Sequence, residues 1–134
     1  MTTRMNWDEY FITIAKVVAS RATCPRAHVG AVLVKDRRIL ATGYNGSPPG
    51  ESHCIDVGCE MENGHCIRTI HAELNCLMQA SKFGIPIDGA TMYMWGDKGN
   101  GVEPCLKCNQ AIKAAGIIKI ITKQEVSEID HIGK

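Results

Sequence analysis

Two short stretches bring together residue types that do chemistry. His71-Ala72-Glu73 sets a carboxylate two residues after an imidazole, and Pro104-Cys105-Leu106-Lys107-Cys108 sets two thiols three apart. Residues three apart share one face of a helix, so Cys105 and Cys108 can bind one ion. At a helix N-terminus the positive end of the dipole favours the thiolate that a metal requires. Alone, such a pair is equally a redox dithiol or half of a structural zinc site. His71 changes the reading, because it also opens a helix. One His and two Cys leave the fourth position of a tetrahedral zinc open, which is the arrangement of a catalytic ion. Zinc held this way brings its bound water to a pKa of about 7. Glu73 is then expected beside that water as an acid/base and not as a ligand; the bland alternative is a first-turn glutamate that complements the helix dipole.

Those residues need elements to hold them. Asn6 followed by Glu9 forms a capping-box pattern, and Trp7, Tyr10, Phe11, Ile14, Val17 and Val18 recur at helical spacing, predicting a first helix that ends near Thr23-Cys24-Pro25. Residues 29–34 and 39–43 read as strands joined by the polar turn 35–38. The stretch 44–68 is rich in Gly, Pro, Cys and His with little periodicity, and a loop of that length is usually functional or tied down. Ile70, Leu74, Leu77, Met78 and Ser81 mark a second helix that stops around Gly84 and Pro86. Residues 90–95 form a short strand, 96–103 a glycine-rich loop, and Pro104 the first turn of a third helix closed by Gly116. Residues 117–122 make a buried strand, so the order is that of a layered α/β domain around one sheet.

With 134 residues the chain suits one domain over 1–134, and 45% apolar residues are ordinary for a globular protein. A formal charge of +1 gives no basic face for nucleic acid, so a small-molecule partner is expected. The apolar runs are too short for a membrane. Residues 1–20 carry Asp8, Glu9 and Lys16 where a signal peptide needs an unbroken apolar segment, which predicts a cytoplasmic protein. In that reducing compartment seven cysteines point to metal ligation or catalysis and away from disulfides.

The H-x-E and P-C-x-x-C pair resembles the zinc-dependent cytidine deaminase superfamily. Trp7-Asp8-Glu9-Tyr10-Phe11, Thr23-Cys24-Pro25-Arg26, Val29-Gly30-Ala31-Val32, Gly43-Tyr44-Asn45-Gly46, His53-Cys54, the run from Gly64 to Thr69 and His71-Ala72-Glu73-Leu74-Asn75 resemble its deoxycytidylate (dCMP) deaminase branch, including bacterial homologues encoded beside DNA-uptake genes. The resemblance implies a three-layer α/β/α fold with a central mixed sheet of four to five strands. It implies zinc on His71, Cys105 and Cys108, Glu73 as proton shuttle, and hydrolysis of dCMP to dUMP and ammonia. Backbone groups near Ala72 and Pro104 would orient the base. Asn45 would contact the deoxyribose, though Asn-Gly after a strand is also an ordinary turn. Gly43, Tyr44, Asn45 and Gly46 would help bind an allosteric nucleotide, dCTP with Mg2+ activating and dTTP inhibiting. Arg26, Arg21 and Lys82 are the candidates for the phosphate.

Cys76 reads as a buried thiol in the second helix. Cys24, Cys54, Cys59 and Cys66 all lie in or beside irregular segments, and four thiols suit a closed structural zinc site. Some dCMP deaminases hold a second zinc through cysteines matching Cys24 and Cys54, and His53 and His65 compete for the remaining places. The chain departs from its relatives in the enlarged loop from Trp95 to Glu103 and in a short C-terminus. A homo-oligomer is expected, with 126–134 offered as a segment that packs across a neighbouring subunit. The competing functions are deamination of another base or nucleotide (dCTP, cytidine, guanine), and a non-catalytic zinc module linked to DNA uptake.

Overall fold

The computed structural model describes residues 4–25, 27–48, 50–59, 61–62, 65–66, 70–97, 104 and 106–122, with only the backbone at 62, 65 and 66. The first helix, α1, spans Trp7–Ala19. The forward half of the predicted capping box forms, with Asn6 Oδ1 accepting from Glu9 N at 2.8 Å, while the return bond differs: Glu9 Oε1 accepts from the Asn6 side-chain Nδ2 at 2.6 Å and not from its backbone N–H. The buried face differs from the periodicity reading. Phe11, Ile12, Ala15 and Ala19 face the core, while Trp7, Tyr10 and Val17 are exposed. The reason lies beneath the helix, where a Cβ on Gly30 would overlap the backbone of Ala15 and Ala19. So close an approach leaves room only for alanine at 15 and 19, while Phe11 and Ile12 fill the core further along the helix.

Strands β1 (Val29–Lys35) and β2 (Arg38–Tyr44) form the expected hairpin, but its turn is tighter than predicted. Only Asp36 and Arg37 are in the turn, at φ 51° and 61°, the two left-handed residues of a type I′ connection whose twist matches paired strands. The stretch read as a loop holds the one-turn helix α2 (Cys54–Val57) and a ribbon of β3 (Met61–Glu62) with β4 (His65–Cys66). Elements of two to four residues span about one hydrophobic period and so never repeat it, and no pattern announces them. Helix α3 (Ala72–Lys82), strand β5 (Thr91–Gly96), helix α4 (Leu106–Ala114) and strand β6 (Lys119–Thr122) follow in the predicted order.

The main sheet has the order β2-β1-β5-β6, antiparallel except for the parallel pair β5–β6. It is therefore mixed and four-stranded, as the resemblance implies. Two apolar clusters cover its faces. Phe11, Ile12 and Ala15 of α1 pack on Val32, Val34, Tyr93 and Ile121. On the other face Ala72, Cys76, Leu77 and Ala80 of α3 and Ile112 of α4 pack on Ala31, Leu33, Met92 and Met94. Helices on both faces make three layers. Alternate residues of β1 belong to opposite clusters, which is why that central strand reads as an unbroken apolar run. Among the described residues no helix is long and apolar enough to cross a membrane.

Candidate active site

The site is built where β2 hands the chain to α3. Gly46 and Ile70 form an isolated bridge, with Ile70 N donating to Gly46 O at 2.8 Å. Asn75 Nδ2 then donates to Tyr44 O at 2.7 Å, fastening the first turn of α3 to the end of β2. Gly43 packs against that turn so closely that a Cβ would lie 2.5 Å from Ala72 O. His71, with extended backbone at φ −62° and ψ 151°, occupies the N-cap position, and its carbonyl accepts from Asn75 N at 2.9 Å. Its side chain is not used for capping, which leaves the imidazole for the site.

His71 Nδ1 stands 3.3 Å from Cys108 Sγ, and one ligand atom each of His71, Glu73 and Cys108 lie within 4.8 Å of one another. Nitrogen and sulfur ligands at about 2.0 and 2.3 Å from a tetrahedral zinc stand about 3.5 Å apart, so the observed spacing fits one ion between them. Cys108 is 3% exposed and sits in the first turn of α4, where the dipole favours a thiolate. Cys105, the second expected thiol, lies outside the described residues. Glu73 is 4% exposed. Burial pushes its carboxyl above the ordinary range, while a hydrogen bond to its own backbone N–H and the charge of His71 pull the other way. A carboxyl raised toward neutrality beside a metal-ligand pair is suited to accept and return a proton.

A second cluster forms from the other cysteines. Cys24, Cys54 and Cys59 bring their sulfurs within 4.8 Å of one another, Cys24 and Cys54 being buried. Ile55 N donates to Thr23 O at 2.9 Å, tying α2 to the segment after α1. None of the three takes part in a disulfide. Three converging thiols are a donor set that zinc suits. His53 precedes Cys54 as the N-cap of α2, and its Nδ1 is buried without a hydrogen-bond partner among the described residues. The side chains of Cys66 and His65 lie outside the described part.

Asn45 is 9% exposed and acts first as a clamp: its Oδ1 accepts from Val29 N and its Nδ2 donates to Ala27 O, both at 2.8 Å. An amide retains one further N–H and one lone pair after two such bonds. Arg26 and residues 98–103 and 126–134 lie outside the described residues. Lys82 ends α3, about 16 Å along the axis from His71. There it lines a cavity of about 260 Å³ with Thr42, Gly43, Tyr44, Ser47 and Gln79, a lining that includes none of His71, Glu73 and Cys108. Two features had no sequence signal. Ser47 Oγ is buried without a partner among the described residues, and Asp97 grips His28 through both carboxylate oxygens.

A mixed sheet between helix layers, with a helix-borne histidine and glutamate facing a helix-borne cysteine, defines the cytidine deaminase-like architecture. Residues 5–124 match the family model described as the cytidine and deoxycytidylate deaminase zinc-binding region, and the chain belongs to that family. It is similar to the ComE operon protein 2 of Bacillus subtilis, at 48% identity over 85% of this chain and 57% of that protein. The chain thus spans little more than half of that relative. It is also similar to a deoxycytidylate deaminase of Mycobacterium phage D29, at 36% identity over 91% of this chain and 98% of the phage protein. Among solved structures, the dCMP deaminase of cyanophage S-TIM5 in complex with dCMP and dUMP superposes with a TM-score of 0.72, at 31% identity, covering 89% of this chain and 82% of that one.

Proposed function

We propose that the chain, as one domain over 1–134, hydrolyses dCMP to dUMP and ammonia. The convergence of His71, Glu73 and Cys108 within 4.8 Å is the observation that carries the reading. The similarity to deoxycytidylate deaminases supports the substrate. His71, Cys105 and Cys108 would hold zinc, which when bound supplies a water activated at neutral pH. Glu73 takes a proton at its carboxylate, delivers it to N3 of the cytosine ring, and carries a second proton to the departing amine. Its burial keeps competing water away and its raised pKa matches the task. The backbone at Ala72 and the remaining N–H of Asn45 orient base and sugar, and Arg26 meets the phosphate.

The same reading extends to a second, structural zinc on Cys24, Cys54 and Cys59, with Cys66 or a neighbouring histidine completing the set. It also includes regulation by a nucleotide with Mg2+ at Gly43, Tyr44, Asn45 and Gly46, supported by the adjoining 260 Å³ cavity with its buried Ser47 hydroxyl and Lys82. Cytoplasmic location and a homo-oligomeric state complete it. Ammonia release from dCMP, dCTP, deoxycytidine, CMP and guanine, with and without dCTP or dTTP as effectors, tests it. Turnover highest with dCMP is expected, and Glu73→Gln should keep its zinc while losing about 10³-fold or more of kcat. A Gln variant of near-full activity, or a panel led by guanine, would refute the proposal.

A further inference from the structure

The short segment leading into β1 is held far more firmly than a strand entry requires. Asn45 takes Ala27 O and Val29 N through its side chain, and Asn45 N donates to Val29 O at 3.3 Å. Between them, His28 gives all its backbone groups to one residue: His28 N donates to Asp97 Oδ1 at 3.0 Å, and its carbonyl accepts from Asp97 N at 3.1 Å. The His28 ring joins the same partner, Nδ1 standing 2.7 Å from Asp97 Oδ2. A carboxylate only accepts, so the ring carries hydrogen on Nδ1, and Nε2 is the edge presented to another group.

Stability does not account for this arrangement. The two side chains are 41% and 34% exposed, and ion pairs of such exposure contribute about 0–1 kcal/mol. Position offers a better reason. Val29 pairs with Gly96 and Gly30 with Tyr44, so His28 and Asp97 stand at the end of the sheet where β2 passes to the Gly46–Ile70 bridge and then to His71. A cytosine base must enter as far as the buried Glu73, which leaves its sugar and phosphate at the rim. At that same end of the sheet stands a half-exposed imidazole, fixed in tautomer and direction by Asp97.

We infer that His28 Nε2 hydrogen-bonds an oxygen of the nucleotide's sugar–phosphate and that Asp97 is its positioning residue. The inference rests on dCMP being the substrate. The test uses the zinc-loaded full chain and two variants that separate the ring nitrogens. Gln places its amide near where Nε2 stands, and Asn places its amide near Nδ1, where it can still meet Asp97. Under the inference, His28→Asn raises KM for dCMP about tenfold, His28→Gln stays within about threefold of the parent, and kcat changes by less than about threefold in both. Repeating the assay with deoxycytidine assigns the contact: a rise confined to dCMP identifies the phosphate, and a rise for both substrates identifies a sugar hydroxyl. The opposite pattern, with Asn harmless and Gln costly, marks a bond to Asp97 alone and overturns the inference, as does an unchanged KM in both variants. Absence of dCMP turnover in the parent chain would defeat the functional reading before any variant is made, and this inference with it.

Discussion

Gly43→Ala offers a severe test, because its effect can be worked from one close approach. The added Cβ would lie 2.5 Å from Ala72 O and 2.8 Å from Cys76 Cα, and closer still to Cys76 N. Ordinary contact begins near 3.4 Å, so the two elements must separate by about 1 Å. All three atoms are backbone, and no rotamer change can relieve them. Either β2 leaves its pairing with β1 or the first turn of α3 retreats. That turn carries His71 and Glu73, so retreat displaces the imidazole and the carboxyl from Cys108, which belongs to another helix. A 1 Å misplacement of catalytic groups costs about 10²-fold in rate. Overpacking of this kind costs about 1–3 kcal/mol, or roughly 4–11 °C in Tm for a domain of this size. The assay is steady-state ammonia release from dCMP at low temperature, alongside a thermal melt that verifies both proteins are folded there and zinc analysis. A folded, zinc-loaded variant whose kcat stays within threefold of the parent would show that Gly43 does not set the position of α3.

Two further outcomes are expected. Cys24→Ser should lower zinc from about two ions per chain to about one while leaving the catalytic metal, and a parent chain holding a single zinc would remove the second site. The Tyr93 hydroxyl donates to Asp8 Oδ1 at 2.7 Å, and burial, followed by that bond and the Asp8 charge, holds the phenol above its ordinary value of 10. In the unfolded chain Tyr93 therefore ionises first, so its contribution is complete below pH 10 and is lost as pH rises through the higher folded value. Tyr93→Phe should cost about 1 kcal/mol at pH 7, and the gap to the parent should close in alkaline denaturation curves. A gap that stays constant up to pH 12 would contradict the sign.

Cys76 illustrates how tertiary context decides a thiol's fate. It lies on the same helix as His71 and Glu73, yet it is fully buried against the sheet, and desolvation pushes its thiol up to about 12. Cys108, also buried, sits 3.3 Å from an imidazole in the first turn of its helix. Composition cannot separate these two cysteines; the groups around them do.

The order of the main elements, and the pairing of an imidazole with a carboxyl at the start of α3, were legible in the chain alone. Helix caps, strand alternation and Cys spacing are local, and local chemistry repeats wherever the residues recur, so Asn6 with Glu9, the β1–β2 hairpin and the His71/Glu73 pair could be read directly. What depended on distant contacts could not. The close approach of Gly30 to the α1 backbone fixed Ala15 and Ala19 as the contact face, and Trp7 and Tyr10 stay exposed although they share the helix's apolar spacing. Three cysteines spread over thirty-five positions met only because α2 is tied to Thr23. Asn45 became a clamp on 27–29, and Asp97 found His28 across sixty-nine residues, pairings set by sheet register. The residues of the HxE and PCxxC motifs name a chemistry. The strand ends brought side by side in the folded sheet decide what stands around that chemistry, because only they place residues remote in sequence at hydrogen-bonding distance.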